Sequence, residues 1–397
     1  MRAWPERRGR LRRYNPGVQL FGKRMKRVAI SGTGLFTPSE SISNDELVAS
    51  FNVYVDADNA RNADAIKSGA QAPLQHSSSE FIVKASGIKS RYVVDKSGVL
   101  DPTFMRPRIR ARGDDEPALM VEMGMAASRQ ALEHANRKPD EVDLVIVACS
   151  NMQRAYPAMA VELQHRLGTS GYAYDMNVAC ASAAFGIQAA HDAVRNGSAR
   201  SALVVSPEIC SGHLNFMDRD CHFIFGDAAT AVLVEPMGHS HGKAIFEILG
   251  ARSLTQFSNN IRNNFGFLNP AEQPQRPWDD VLFTQEGRKV FKEVVPMVSE
   301  MMVAHLGELG LQPSEVKRFW LHQANLSMNQ LIAKRVLGRE ATTEEAPVIL
   351  DEYANTSSAG SVIAFHKYHG DLKPGDLGVL CAFGAGYSVG SVVLRRH

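Results

Sequence analysis

Two distant stretches of the chain read almost alike. Lys138-Pro139-Asp140-Glu141-Val142-Asp143-Leu144-Val145-Ile146-Val147 and Gln312-Pro313-Ser314-Glu315-Val316-Lys317-Arg318-Phe319-Trp320-Leu321 share a Pro-x-Glu-Val entry into an apolar run. Each follows a long amphipathic helical pattern, over 117–136 and 287–309, and each run is short enough to be a buried strand. Helix, turn and strand recurring in the same order predict an internal duplication, with halves at 25–236 and 237–397.

The rest of the chain fits that plan. Strands are predicted over 142–149, 173–177, 201–206, 223–235, 244–251, 316–321, 378–383 and 388–394, with helices over 158–167, 326–337 and after Cys180. Alternation of this kind implies an α/β fold whose sheet is covered on both faces. Two polar stretches, 52–79 and 97–117, read as inserted loops. The second carries Arg106, Arg108, Arg110 and Arg112 at alternate positions, which suits a solvated face or contact with a phosphate-bearing ligand or acidic partner. Gly32 and Gly34 follow a strand at 28–31 but complete no G-x-G-x-x-G, so a tight turn is expected there and not a dinucleotide site.

Charge is unevenly placed. Residues 1–24 hold seven Arg and one Lys against one Glu, and removing that +7 from the overall +2 leaves −5 for the remainder. The basic segment has no apolar core and no Ser, so neither a secretory signal nor a typical transit peptide fits, and a disordered leader is expected. Five scattered cysteines without a C-x-x-C pair argue against a disulfide framework or structural zinc and suit a reducing cytoplasm. No apolar run reaches membrane-spanning length. No metal, redox cofactor, nucleic acid or membrane partner is expected.

One cysteine stands apart. Cys180 opens an Ala-rich run that stops at Asn196-Gly197, a C-cap signal, and so is expected at a helix N-terminus. Unpaired N–H groups and the macrodipole there would lower the thiol pKa and make a nucleophile. A buried structural cysteine is an equal reading of these residues taken alone. Further along, His322-Gln323-Ala324-Asn325 leaves the end of a strand, where α/β proteins keep their chemistry. Asn355-Thr356-Ser357-Ser358 is a polar turn before a helix, and Phe383-Gly384-Ala385-Gly386-Tyr387 a tight turn presenting backbone N–H groups.

Taken together, Ala179-Cys180-Ala181-Ser182, Phe225-Gly226-Asp227, His322 to Asn325, Asn355 to Ser358 and Phe383 to Tyr387 resemble the β-ketoacyl-acyl carrier protein synthase III family of the thiolase superfamily, over residues 26–397. The resemblance implies a five-layered αβαβα thiolase fold and a homodimer. It also implies an acyltransferase that condenses an acyl primer from coenzyme A with malonyl-acyl carrier protein, through an acyl-Cys180 intermediate, releasing CO2. His322 and Asn355 would donate to the thioester oxygen during decarboxylation, and the backbone N–H groups of Cys180 and Ala385 would form the other oxyanion hole. Phe81 and Arg219 match the positions that sandwich the adenine of coenzyme A, with Phe in place of the usual Trp and Ala85 in place of an expected Arg. Asn325 matches a substrate-binding position, Tyr156 a residue reaching the partner's acyl tunnel, and Lys292, Lys334 and Arg335 a carrier-protein docking patch. The extra loops point to a primer longer than acetyl. Acyl transfer without decarboxylation and a catalytically silent subunit are the alternative readings. The pairing of His with Asn, and a Cys381 placed on the opposite strand face, set the chain apart from elongating synthases and degradative thiolases.

Overall fold

The computed structural model of the chain describes residues 26–264 and 271–397; the expected leader at 1–24 lies outside them. Nine strands form the main sheet: β1 (Val28–Phe36), β2 (Leu144–Ala148), β3 (Tyr172–Met176), β4 (Ala202–Ile209), β5 (Asp227–Pro236), β6 (Phe246–Ser258), β7 (Val316–Leu321), β8 (Leu377–Gly384) and β9 (Gly386–Arg396). Helices α1 (Asn44–Arg61) and α2 (Ser79–Ser86) pack together in a separate apolar cluster with Ile42, Phe216 and Phe223. The helices that cover the sheet are α3 (Leu119–Ala135), α4 (Met159–Leu167), α5 (Ser182–Asn196), α6 (Gly287–Glu308), α7 (Leu326–Leu337) and α8 (Ala359–Lys367).

The strand order β7-β8-β9-β6-β1-β5-β4-β2-β3 contains the duplication. Outward from the centre, β1-β5-β4-β2 and β6-β9-β8-β7 follow one rule: two antiparallel pairings and then a parallel one. The halves join where Ala29 pairs with Glu247 and Ile30 with Phe246. The two Pro-x-Glu-Val segments are matching single 3-10 turns. In each, the glutamate accepts from the backbone N–H three residues before it, Lys138 N at 2.7 Å and Gln312 N at 2.6 Å. The repeat is therefore a strand-entry device as well as a sequence echo.

Three apolar cores define five layers. In one, α3 and α4 pack on the outer face of the first half through Met123, Ala127, Ala131 and Leu163. In another, α6 and α7 cover the outer face of the second through Val294, Val298, Met302 and Ile332. Between the halves lie α5 and α8, buried on both sides. That position explains the small residues of α5. A Cβ at Gly186 would meet Val204 Cγ1 at 2.8 Å and Ala148 Cβ at 2.9 Å, so the helix could not lie this close to the sheet with a larger residue. The helix ends as expected at Gly197, whose φ of 83° suits glycine.

The stretch 52–79 corrects an expectation. Much of it is helical, because α1 runs on to Arg61 from a capping box in which Ser43 and Glu46 satisfy each other's backbone N–H groups. Only Leu47, Phe51 and Val55 are apolar and buried, a one-per-turn stripe too thin to read as a helix. The stretch 97–117 is largely irregular, as expected, but its arginines are engaged within the protein. Arg108 pairs with Asp101, Arg110 with Glu116 and Arg112 with Glu122, while Arg106 lies over Phe104 and Trp278. Among the described residues, no helix is long and apolar enough to cross a membrane.

Candidate active site

Cys180 sits in the turn between β3 and α5. The preceding Ala179 has a φ of 48°, a left-handed conformation that an alanine adopts at a cost, and neighbouring side chains hold it there. Asn177 Oδ1 accepts from Ala179 N at 2.9 Å, and Ser182 Oγ accepts from Val178 N at 2.8 Å while donating to Ala179 O at 2.7 Å. The turn from β8 to β9 closes over the thiol. A Cβ at Gly384 would fall 2.6 Å from Cys180 Cβ and 3.1 Å from its Sγ, so only glycine permits this approach.

His322 leaves the end of β7, its backbone N–H donating to Cys381 O at 2.8 Å and its ring edge-on to Phe383. Asn355 is anchored to the opposite strand end, donating from its backbone to Ile224 O at 2.9 Å and accepting from Gly226 N at 3.1 Å. Its side-chain Oδ1 accepts from Ser357 N at 2.9 Å, which fixes the amide so that Nδ2 is the group left to donate. Cys180, His322 and Asn355 line one cavity of about 730 Å³, whose other walls include Phe283, Phe291, Val294 and Met328. The sequence-predicted triad is thus brought together.

The electrostatics of the thiol differ from expectation. Burial pushes Cys180 up to about 11; the Ser357 hydroxyl, which donates to Sγ at 3.4 Å, opposes this, and the nearby Glu208 carboxylate adds to it. Cys180 is half-buried in the cavity wall. The macrodipole is worth about 0.3–1 kcal/mol in exposed settings, and desolvation of the thiolate at this position outweighs it. Burial also drives His322 down to about 4, against a smaller opposing effect of the Ser357 backbone, so its imidazole is neutral near pH 7. The site at rest holds a protonated thiol and a neutral base.

The remaining predicted residues divide. Phe81 and Asn325 line the cavity. Arg219 stacks directly on Phe81, 4.0 Å from the ring centroid, and donates to His76 O, so the slot expected for adenine is filled by the contact itself. Asn325 caps α7, accepting from Met328 N at 3.1 Å and donating to Ala85 O at 2.8 Å; both ends of its amide are in use. Tyr156 lies outside the cavity and is 83% exposed. Lys292 on α6 and Lys334 and Arg335 on α7 are exposed on the outer layer of the second half. Cys381 belongs to the outer core with α6 and α7, facing away from Cys180's layer.

Sequence reasoning missed Ser357 and Glu208. The Asn-x-Ser spacing was a signal for the first, since Asn side chains close turns on the N–H two residues on. The second is an acid inside the apolar strand Ala202–Ile209, where a charge is costly without a purpose.

Comparison with known proteins agrees with this architecture. Residues 174–252 match the model of 3-oxoacyl-[acyl-carrier-protein] synthase III, and 306–396 match its C-terminal model. The chain is 60% identical over 348 residues to a beta-ketodecanoyl-[acyl-carrier-protein] synthase of Pseudomonas aeruginosa, covering 88% of this chain and 99% of the relative. It is 31% identical to a beta-ketoacyl-[acyl-carrier-protein] synthase III of Brucella anthropi, covering 80% and 91%. The crystal structure of 3-oxoacyl-[acyl-carrier-protein] synthase III from Aquifex aeolicus superposes with a TM-score of 0.70 at 27% identity, over 93% of this chain and 99% of that one. The priming beta-ketosynthase of the R1128 polyketide pathway gives 0.74 at 25% identity, over 95% and 98%. With a duplicated five-layer fold, a Cys-His-Asn cavity and these relatives, the chain is an enzyme of the 3-oxoacyl-[acyl-carrier-protein] synthase III family.

Proposed function

We propose that the chain condenses an acyl thioester primer with malonyl-acyl carrier protein, giving 3-oxoacyl-acyl carrier protein and CO2. The observation that carries this reading is that Cys180, His322 and Asn355 line one cavity, with Asn355 Oδ1 tied back so that its Nδ2 can donate.

In the first step Cys180 Sγ attacks the primer's thioester carbonyl and the bond to the carrier sulfur breaks. The thiol is protonated at rest, so its proton must leave as the new carbon–sulfur bond forms. Neutral His322 accepts it and returns it to the departing thiolate. The backbone N–H groups of Cys180 and Ala385 receive the tetrahedral oxyanion. In the second step malonyl-acyl carrier protein loses CO2, and the electron pair passes onto its thioester oxygen, where His322 and Asn355 donate. The resulting carbanion attacks the acyl carbonyl and Cys180 sulfur departs. A histidine kept neutral down to about 4 does not protonate that carbanion, as an imidazolium would.

The primer we propose is medium-chain. The 60% identical relative is named for a ketodecanoyl product, and condensation with malonyl adds two carbons, so about eight carbons are expected in the primer. Coenzyme A as its carrier requires Arg219 to leave Phe81, whereas delivery on carrier protein does not. Exposed Lys292, Lys334 and Arg335 are the proposed docking positions for the acidic carrier. We further propose a homodimer in the cytoplasm. Among the described residues the edge strand β3 pairs only with β2, and Tyr156, Tyr172, Leu254 and Phe257 expose large apolar side chains. All five cysteines are free.

The test is intact mass of wild type and Cys180→Ala after exposure to primers of two to twelve carbons, on coenzyme A and on carrier protein. Malonyl-acyl carrier protein is then added and CO2 counted. An adduct confined to proteins with Cys180, discharged with stoichiometric CO2, is the expected result. An adduct discharged to a hydroxyl or amine without CO2 would make the chain a simple acyl transferase, and no adduct would end the catalytic reading.

A further inference from the structure

Glu208, the penultimate residue of β4, is fully buried and takes no part in the chemistry proposed above. No cation pairs with it among the described residues. Its carboxylate instead gathers hydrogen bonds from two turns. Oε1 accepts from Ser150 N at 2.9 Å, from Ser358 N at 3.1 Å and from Ser358 Oγ, while Oε2 accepts from Ser150 Oγ at 2.6 Å.

Each of those turns leads to one side of the active site. Ser150 O accepts from Asn177 Nδ2 at 2.8 Å, and Asn177 Oδ1 holds Ala179 N in the strained turn that presents Cys180. Ser358 follows Ser357, whose own φ of 48° is left-handed and whose backbone N–H fixes the Asn355 amide. One carboxylate therefore ties the turn bearing the nucleophile to the turn bearing the decarboxylation donor. These turns belong to different halves of the duplication, and the secondary structure alone does not set the distance between them. An apolar residue of similar size would be the cheaper occupant of such a site on stability grounds.

We infer that Glu208 is a positioning residue that sets the spacing between Cys180 and Asn355. The inference rests on the condensation reading, because that reaction needs the spacing in its second step. Acylation uses Cys180 and His322, whereas carbon–carbon bond formation requires the acyl group on Cys180 and the malonyl thioester at Asn355 to meet in register. A misplacement of the order of 1 Å can cost about 100-fold in such a step.

The experiment follows the two half-reactions separately in wild type, Glu208→Ala and Glu208→Gln. Glu208→Ala is expected to slow CO2 release from malonyl-acyl carrier protein on the preformed acyl-enzyme at least about tenfold, while first-step acylation changes by less than about threefold. Glu208→Gln keeps the size and one carbonyl acceptor for Ser358, and is expected to recover most of the loss. Equal losses in both steps, or no loss in either, would overturn the inference. Should Glu208→Ala fail to fold, Ser358→Ala carries the same test: a second-step loss of about threefold with acylation intact is expected, and an unsplit loss overturns it. If wild type itself acylates but never releases CO2, the condensation reading fails, a result distinct from variants that match an active wild type.

Discussion

The Ser357 hydroxyl donates to Cys180 Sγ at 3.4 Å, so a side chain from the second half of the duplication supports the nucleophile of the first. It is the largest influence acting against burial on that thiol. Hydrogen bonds to charged groups are worth about 1.5–3 kcal/mol, and the thiolate gains more from this one than the thiol does. Ser357→Ala is therefore expected to raise the thiol pKa further. At pH 8 the fall in thiolate would slow alkylation by iodoacetamide roughly three- to tenfold, greater intrinsic nucleophilicity restoring part of the loss. An unchanged or faster alkylation rate would show that the hydroxyl does not support the thiolate.

The neutral state of His322 has a consequence in the pH profile. An ordinary histidine would lose its basic form below about 6.5, whereas His322 is lowered to about 4 by burial. The acidic limb of acylation kcat/KM is accordingly expected below pH 5, with no break near 6.5. His322→Gln should separate the two roles: loss of the base slows acylation by about 10²- to 10⁴-fold, while the retained amide donor limits the damage to decarboxylation. A break near pH 6.5 in wild type, or equal damage to both steps in the variant, would count against the assignment.

How far the sequence carried the reading varies by residue. The duplication was legible because Pro139 and Pro313 open identical turns into buried runs, and periodicity reports such elements directly. Cys180, His322 and Asn355 were legible because each is a polar or nucleophilic residue at the end of a regular element: Cys180 between two alanines before a helix, His322 after a buried strand and Asn355 in a polar turn before a helix. Their chemistry was only partly so: position at a helix N-terminus can be read from a sequence, but the burial that raises the Cys180 pKa depends on the Gly384 turn, far away in the chain. Arg219 and Phe81 could be matched to positions, yet their mutual stacking depends on rotamers that no spacing encodes. Glu208 gave a signal as an acid in an apolar strand, but its partners Ser150 and Ser358 come from separate turns.

Gly384 offers a steric test. Gly384→Ala would place a methyl 2.6 Å from Cys180 Cβ and 3.3 Å from its backbone N, which forces the β8–β9 turn or the nucleophile to move. Overpacking of this kind costs about 1–3 kcal/mol, so a folded variant with a lowered Tm is expected. Acylation should fall much further, by about 100-fold or more, since the proposed oxyanion donors and the thiol shift together. Tm and the rate of adduct formation by intact mass measure the two effects. A variant that acylates at the wild-type rate would show that the turn does not lie over Cys180 in solution.

Glu208 makes a separate prediction about stability. Burial raises its carboxyl from the ordinary 4.5 to about 7, the Ser150 and Ser358 hydrogen bonds opposing the rise. Because the folded state holds the proton more tightly than the unfolded chain, this contribution to stability is fully present below about 4.5 and is lost as pH rises through 7. A rise of that size corresponds to at most about 3 kcal/mol. Glu208→Gln does not titrate there, so wild type should lose stability relative to Glu208→Gln between pH 4.5 and 8. Asp227, also raised by burial, to about 6, is common to both proteins and cancels in the comparison. Urea unfolding of the two proteins across this range measures the gap between their curves. Parallel curves would mean that the carboxyl titrates normally, and that the two active-site turns are joined around an ordinary solvated carboxylate.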